Sequence, residues 1–283
     1  MLKLNNIQKH YPDFQLNCSI DIPSGYITGI IGQNGAGKTT IFKLLLGLIR
    51  PDNGEIILSN STIKELSREQ KENCGVVLAE SGLNGYFTVR TYIPILETMY
   101  RKFQKQEFLT LCEHFQIPLD KKIKEFSTGM KRKLQMITAL THEAEILLLD
   151  EPTSGMDVLA RDEILDMLRN YMVKHENCTI LISSHISGDL ENLCDDIYMI
   201  HNGKIVLHEE TDSLTNNYAV LKVTEEEYRN IDPQYLLKTY KEAFGYSCLT
   251  TEKAFYKENY PEIVIENVTI DDVIVMMTRG DNV

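Results

Sequence analysis

The chain has 283 residues, 43% of them apolar and 25% charged. This is an ordinary balance for a globular protein with a sizeable core, and it argues against a disordered, collagen-like or membrane-spanning chain. A formal charge of -12 at pH 7 argues against nucleic acid as the main partner, because that affinity rests on Lys and Arg neutralising phosphates. Six cysteines, at 18, 74, 112, 178, 194 and 248, form no C-x-x-C pair, so neither a zinc site nor a redox motif is indicated. The N-terminal MLKLNNIQKHYP lacks a basic region followed by an apolar run, and no stretch nears the roughly 18 uncharged apolar residues needed to cross a bilayer. A cytoplasmic protein is expected, with any membrane role requiring a partner.

Taken in order, alternation and β-branched content predict strands at 2–7 and 14–22, with Tyr11, Pro12 and Asp13 as the turn of a hairpin. The apolar run 26–31 ends in a Gly-rich loop, and 38–48 carries apolar residues at helical spacing until Gly47 and Pro51 stop it. Strands follow at 54–59 and 74–78. From 88 to about 124 the pattern turns helical, broken once at Ile117 and Pro118, which reads as a helical subdomain inserted in an α/β core. Helix 130–142, strand 145–150, helix 158–174, strand 178–183, helix 187–194 and strands within 196–208 then alternate as in a parallel-sheet protein, with Asn202-Gly203 marking a hairpin. Beyond about 213 a strand at 218–223, helices, a strand at 262–266 and a last helix from Ile270 suggest a small α+β appendage.

The segment 32–39, GQNGAGKT, satisfies G-x-x-x-x-G-K-[ST] after a predicted strand and at the opening of a helix. In that setting glycines let backbone N–H groups close around phosphates, and the helix N-terminus adds its partial positive charge. Candidate nucleotide contacts are Gly32, Asn34, Gly35, Ala36, Gly37, Lys38, Thr39 and Thr40, with the Thr39 hydroxyl also a ligand for Mg²⁺. The apolar strand ILLLDE delivers Asp150 and Glu151 at its C-terminal end, where ligands sit in open parallel sheets. Asp150 suits the Mg²⁺ environment and Glu151 the polarisation of an attacking water. His185, closing LISSH after the next strand, belongs to the same rim as a candidate for holding the γ-phosphate and the water. The fold class expected is therefore α/β: a P-loop NTPase core with a mainly parallel sheet, an N-terminal antiparallel β-subdomain, an inserted helical subdomain and a small α+β C-terminal appendage.

Together with FSTGM at 126–130 and SGMD at 154–157, these motifs resemble, in order and spacing over about residues 1–212, the ATP-binding subunits of ABC transporters. The resemblance implies an ATP-binding domain over 1–212, with its helical subdomain at about 88–140, followed by the appendage at 213–283. It further implies ATP hydrolysis with Mg²⁺, and two subunits, as a homodimer or heterodimer, sandwiching two ATPs head to tail. Ser127 and Gly129 would then touch the neighbour's γ-phosphate. The local chemistry agrees, since Ser127 is a good N-cap and Gly129 permits close backbone approach. Tyr11 resembles the aromatic that stacks on adenine, with packing in the turn as the alternative.

Two departures from the family pattern stand out. FSTGM replaces the usual Leu-Ser-Gly-Gly-Gln, and the glutamine that normally follows the strand at 74–78 is missing, with Ala79 in register and Glu80 reaching the site only by a shift. By resemblance the chain is most similar to bacterial exporters of peptides or drugs with a separate transmembrane permease, on the inner face of the cell membrane. Leu83, Tyr86, Phe87 and Tyr92, within 81–100, either receive a permease helix or pack internally. A soluble ABC ATPase of an assembly or repair process is the alternative from another class. A GTPase or small-molecule kinase is disfavoured because no Asn-Lys-x-Asp motif occurs.

Overall fold

The computed structural model describes residues 1–58, 61–63, 66–79 and 83–282. Strand β1 (Leu2–Tyr11) turns at Pro12 and Asp13 into β2 (Phe14–Ile22), whose alternating burial puts one face on the core and one in water. Strand β3 (Ile27–Ile31) is buried on both faces and delivers the chain through the Gly-rich loop into α1 (Lys38–Leu45), which ends before Gly47 at φ 67°. Strands β4 (Asn53–Leu58) and β5 (Ser61–Ile63), helix α2 (Arg68–Glu72) and strand β6 (Cys74–Val77) follow. Helices α3 (Val89–Met99) and α4 (Lys105–His114) precede a 3-10 turn at Ile123–Glu125 and α5 (Thr128–Leu140), which Ser127 caps by accepting from the Met130 N–H at 3.2 Å. Then come β7 (Ile146–Asp150), α6 (Val158–Lys174), β8 (Thr179–Ser184), α7 (Ser187–Glu191), β9 (Asp196–His201) and β10 (Lys204–Glu210). The remainder is α8 (Thr211–Asn216), β11 (Ala219–Val223), α9 (Glu225–Asn230), β12 (Leu236–Glu242), β13 (Gly245–Thr250), α10 (Lys253–Asn259), β14 (Val264–Asn267), α11 (Ile270–Arg279) and β15 (Asp281–Asn282).

Among the described residues the strands make two sheets. The larger runs β5-β4-β1-β2-β10-β9-β3-β8-β7-β6, and its members β9, β3, β8, β7 and β6 are mutually parallel. That parallel half is buried along nearly its whole length, polar Thr28, Ser183 and Asp196 included, whereas β1, β2 and β4 pair antiparallel and β2 alternates buried with exposed residues. The β9–β10 hairpin closes at Asn202 (φ 46°) and Gly203 (φ 75°), the two positive φ values that a type I′ turn requires. The smaller sheet, β14-β11-β13-β12-β15, is antiparallel.

Two sequence expectations change and one open alternative divides. The tail after Val223 is not simply helical: β12 and β13 form a hairpin between α9 and α10. The helical insert breaks twice, at Ile117-Pro118 and also between Met99 and Lys105, where the Gln104 N–H leaves to bond the Thr141 carbonyl at 2.7 Å. Pro94, by contrast, sits inside α3 without ending it. Finally, Leu83 and Tyr92 pack against the main core while Tyr86 (74% exposed) and Phe87 (37%) face solvent, so the apolar set within 81–100 divides between packing and surface.

The core is continuous across the two sheets. Val220, Leu249, Ile270, Val273 and Met276 of the tail join Leu190, Leu193 and Cys194 of the α7 region in one buried cluster. The opposite face of the smaller sheet holds its own cluster around Leu221, Cys248 and Tyr256.

Candidate nucleotide-binding site

At the C-terminal end of the parallel strands a cavity of about 530 Å³ is lined by Phe14, Gln33, Asn34, Gly35, Gly37, Lys38, Thr39, Thr40, Ala79, Arg132, Glu151, Ser154 and His185. The loop between β3 and α1 forms one wall. Two of its glycines are sterically required: Gly37 has φ 115°, and a Cβ on Gly32 would stand 2.3 Å from the Ile200 carbonyl oxygen. Ala36 is buried under the loop, and its N–H bonds the Gln33 carbonyl at 3.1 Å.

Lys38 is buried at 6% exposure, with Nζ 2.6 Å from the Gly32 carbonyl and 3.4 Å from Glu151 Oε1. Thr39 Oγ1 donates to Asp150 Oδ2 at 2.8 Å, and Ser183 Oγ donates to Asp150 Oδ1 at 2.7 Å, so the fully buried carboxylate is held on both oxygens. Glu151 follows at φ 52°, a left-handed backbone that costs a non-glycine residue about 1–2 kcal/mol. Its N–H is held by Ser183 Oγ at 3.0 Å, and its Oε2 takes the ring Nδ1 of His185 at 2.5 Å. The strained Glu151, the Lys38 ammonium and the His185 imidazole thus line one cavity, with the Asp150 carboxylate buried beneath Thr39.

Behind them a second network fixes the flanking loops. Asp189, 1% exposed, accepts from Thr153 Oγ1 at 2.7 Å and from Arg161 Nη2 at 2.6 Å, linking the segment after Glu151 to α6 and α7. Asp157 caps α6 by accepting from the Ala160 N–H at 2.9 Å.

The Thr39 and Asp150 oxygens fit Mg²⁺, a hard cation that proteins hold through one or two such donors, the remaining positions going to phosphates and waters. Tyr11 is 41% exposed with its ring 6.2 Å from that of Phe14, and it is Phe14 that lines the cavity. Ser127 and Gly129 stand apart from this cavity, at the exposed start of α5. Glu80 lies outside the described residues.

The candidate contacts read from the sequence omitted Phe14, Gln33 and Arg132, and Ser154 was named only as part of the SGMD motif. Phe14 was findable, because it pairs with Tyr11 across the hairpin turn. Arg132 was not: on a helix it reads as a solvated charge, yet it is 8% exposed, and burial pulls its guanidinium down against the opposing pull of Asp150 and Glu151.

Fold and site together define a P-loop nucleoside triphosphatase. Residues 16–154 match the family described as ABC transporter. The chain is 34% identical over 219 residues to the lantibiotic transport ATP-binding protein SrtF of Streptococcus pyogenes, spanning 76% of this chain and 93% of that one. It is 35% identical over 191 residues to the bacitracin transport ATP-binding protein BcrA of Bacillus licheniformis, spanning 66% and 62%. In fold it is similar to the ATP-binding cassette MJ0796, solved as a dimer in a post-hydrolysis state with ADP and Pi, with a TM-score of 0.66 at 20% identity over 75% of this chain and 99% of that one. The chain belongs to the ABC transporter ATP-binding family and is an ABC-type ATPase. No helix among the described residues is long and apolar enough to cross a membrane.

Proposed function

We propose that this chain is the ATP-hydrolysing subunit of a bacterial exporter of peptides or drugs, working as a head-to-tail homodimer or heterodimer against a separate transmembrane permease on the cytoplasmic face. The observation that carries the reading is the meeting of Lys38, Thr39, Glu151 and His185 around one cavity, with Asp150 buried against Thr39, in a chain that matches a lantibiotic transport subunit over 76% of its own length and 93% of that protein's.

In the proposed cycle, the loop N–H groups from Gly32 to Thr40 and the α1 N-terminus receive the phosphates. Lys38, now paired with Glu151 at 3.4 Å, exchanges that partner for phosphate oxygens and frees the carboxylate to orient the attacking water and accept its proton. His185 meets Glu151 Oε2 through Nδ1, and only with a proton on Nε2 as well does the ring donate to a γ-phosphate oxygen. Thr39 and Asp150 would hold Mg²⁺, which when bound offsets phosphate charge. Tyr11 and Phe14 offer aromatic faces to the base.

The contact to a second subunit rests on Ser127 and Gly129. A Cβ on Gly129 would meet nothing nearer than Met156 Cε at 3.9 Å, so packing within this chain does not require a glycine there. Glycine nevertheless costs a helix about 1 kcal/mol relative to alanine, which favours a need for close approach by an outside group. Tyr86 and Phe87, exposed in the turn that leads into α3, are the proposed anchor for the permease. We assign residues 1–212 to the ATP-binding domain and 213–283 to the appendage.

Expression with affinity capture from detergent-solubilised membranes tests the reading. A co-purifying membrane protein and ATP turnover abolished by Lys38→Ala are expected. Recovery wholly in the soluble fraction with no membrane partner would overturn the transporter assignment, and undiminished ATP binding by Lys38→Ala would overturn the site.

A further inference from the structure

One cavity-lining side chain has no part in the proposed hydrolysis. Arg132 lies in the second turn of α5, and its guanidinium is spent on backbone: Nη1 donates to the Leu78 carbonyl at 2.6 Å and Nη2 to the Ala79 carbonyl at 2.7 Å. Nη1 also reaches Gln135 Oε1 at 3.1 Å. Leu78 and Ala79 directly follow β6, and Ala79 lines the nucleotide cavity with only a methyl group.

Placing a guanidinium at 8% exposure carries a desolvation penalty that is offset only where geometry is good and its donors are satisfied. Here the planar fork spans two successive carbonyls, a geometry that a lysine ammonium cannot reproduce. Two rigid bodies are joined by it. One is α5, whose first residues lie at the surface next to Ser127; the other is the strand end that walls this chain's own cavity.

We infer that Arg132 is a positioning residue that clamps Leu78 and Ala79, directly after β6, to α5, so that this wall of the chain's nucleotide site and the Ser127 end of α5 move as one piece. This inference rests on the proposed ATP site and deepens it: nucleotide in one chain's cavity then sets how that chain presents Ser127 and Gly129 to a second subunit. The clamp acts through geometry, so charge alone does not replace it.

Three proteins test this: wild type, Arg132→Lys and Arg132→Met, each assayed for fluorescent ATP-analogue affinity, kcat, KM and amide exchange of the segment 76–79. Wild-type binding and turnover report on the site itself; if wild type neither binds nor hydrolyses ATP, the proposed function falls whatever the variants do. If wild type is active, both variants are expected to bind nucleotide within about threefold of it while kcat falls about ten- to hundredfold, the scale of a small misplacement transmitted to a reacting centre. Exchange at 76–79 should rise in both. Arg132→Lys with wild-type kcat and exchange would overturn the clamp. A large rise in KM for Arg132→Met that Arg132→Lys restores would overturn it too, making Arg132 a direct phosphate contact.

Discussion

Replacing Asp189 by alanine probes the network that holds the two proposed catalytic loops. Asp189 is 1% exposed and accepts three hydrogen bonds, from Thr153 Oγ1 at 2.7 Å, Arg161 Nη2 at 2.6 Å and Arg161 Nε at 3.2 Å. Removing one partner of a buried ion pair costs about 3–5 kcal/mol, because the other charge is left uncompensated. The Arg161 side chain is 23% exposed, so water recovers part of its solvation and the expected loss falls to about 2–4 kcal/mol. Thr153→Val alone should cost about 1 kcal/mol, one neutral partner lost to a charged acceptor. Urea denaturation followed by circular dichroism, with m values checked for constancy, measures both. The double variant should fall short of the sum by about 0.5–1 kcal/mol, since the two groups share one bond and the shortfall is bounded by the Thr153→Val loss. Thr153 lies two residues past Glu151 and Asp189 four past His185, so turnover should drop with stability. An Asp189→Ala loss under about 1 kcal/mol, or strict additivity with Thr153→Val, would refute the network.

Three further outcomes are expected. Glu151→Gln should keep ATP binding while hydrolysis falls about 10²- to 10⁴-fold, and it should accumulate an ATP-dependent dimer on gel filtration; a monomer with near-normal turnover would contradict the sandwich. Gly32→Ala would bring a Cβ to 2.3 Å from the Ile200 carbonyl oxygen and 2.9 Å from its Cγ2, so the loop must shift, at about 1–3 kcal/mol, with at least about tenfold weaker nucleotide affinity by fluorescence titration. Unchanged affinity would show that the loop has slack. His142, 1% exposed and stacked on Tyr100 at 4.0 Å, has its pKa held below its ordinary 6.5 by burial. The unfolded chain therefore takes up that proton first as pH falls, so the contribution of His142 is present above pH 6.5 and lost below it. Wild type should lose more urea resistance between about pH 7.5 and 5.5 than His142→Gln, and equal losses would refute the assignment.

The nucleotide site was legible because its chemistry is written locally. GQNGAGKT must follow a strand and open a helix, and ILLLDE must end at the ligand-binding edge of a parallel sheet, so eight- and six-residue windows suffice. The β12–β13 hairpin lacked such a signal. Its two-residue loop is Ala243-Phe244, with neither Asn nor Gly at the turn positions, and the glycine that permits the turn, Gly245 at φ 140°, falls one place later. Arg132 was hidden for a different reason: whether a helical arginine meets water or a carbonyl pair depends on which helix face packs against β6, and that is settled by contacts distant in sequence. The apolar residues at 83–92 shared this ambiguity, and packing took Leu83 and Tyr92 but not Tyr86.

The place of β3 in the larger sheet has a bearing on biosynthesis. The strand that leads into the phosphate loop is made early, yet its two neighbours, β8 and β9, begin at Thr179 and Asp196. At translation speeds of about 5–20 residues per second, ITGII waits roughly 10–30 s on the ribosome before either edge can pair. During that interval a largely apolar strand with open edges needs cover, which makes this stretch of nascent chain a natural client for a holding chaperone. The phosphate loop is thus anchored on both sides only after the chain has been made as far as β9, so nucleotide would meet a completed sheet rather than a nascent one.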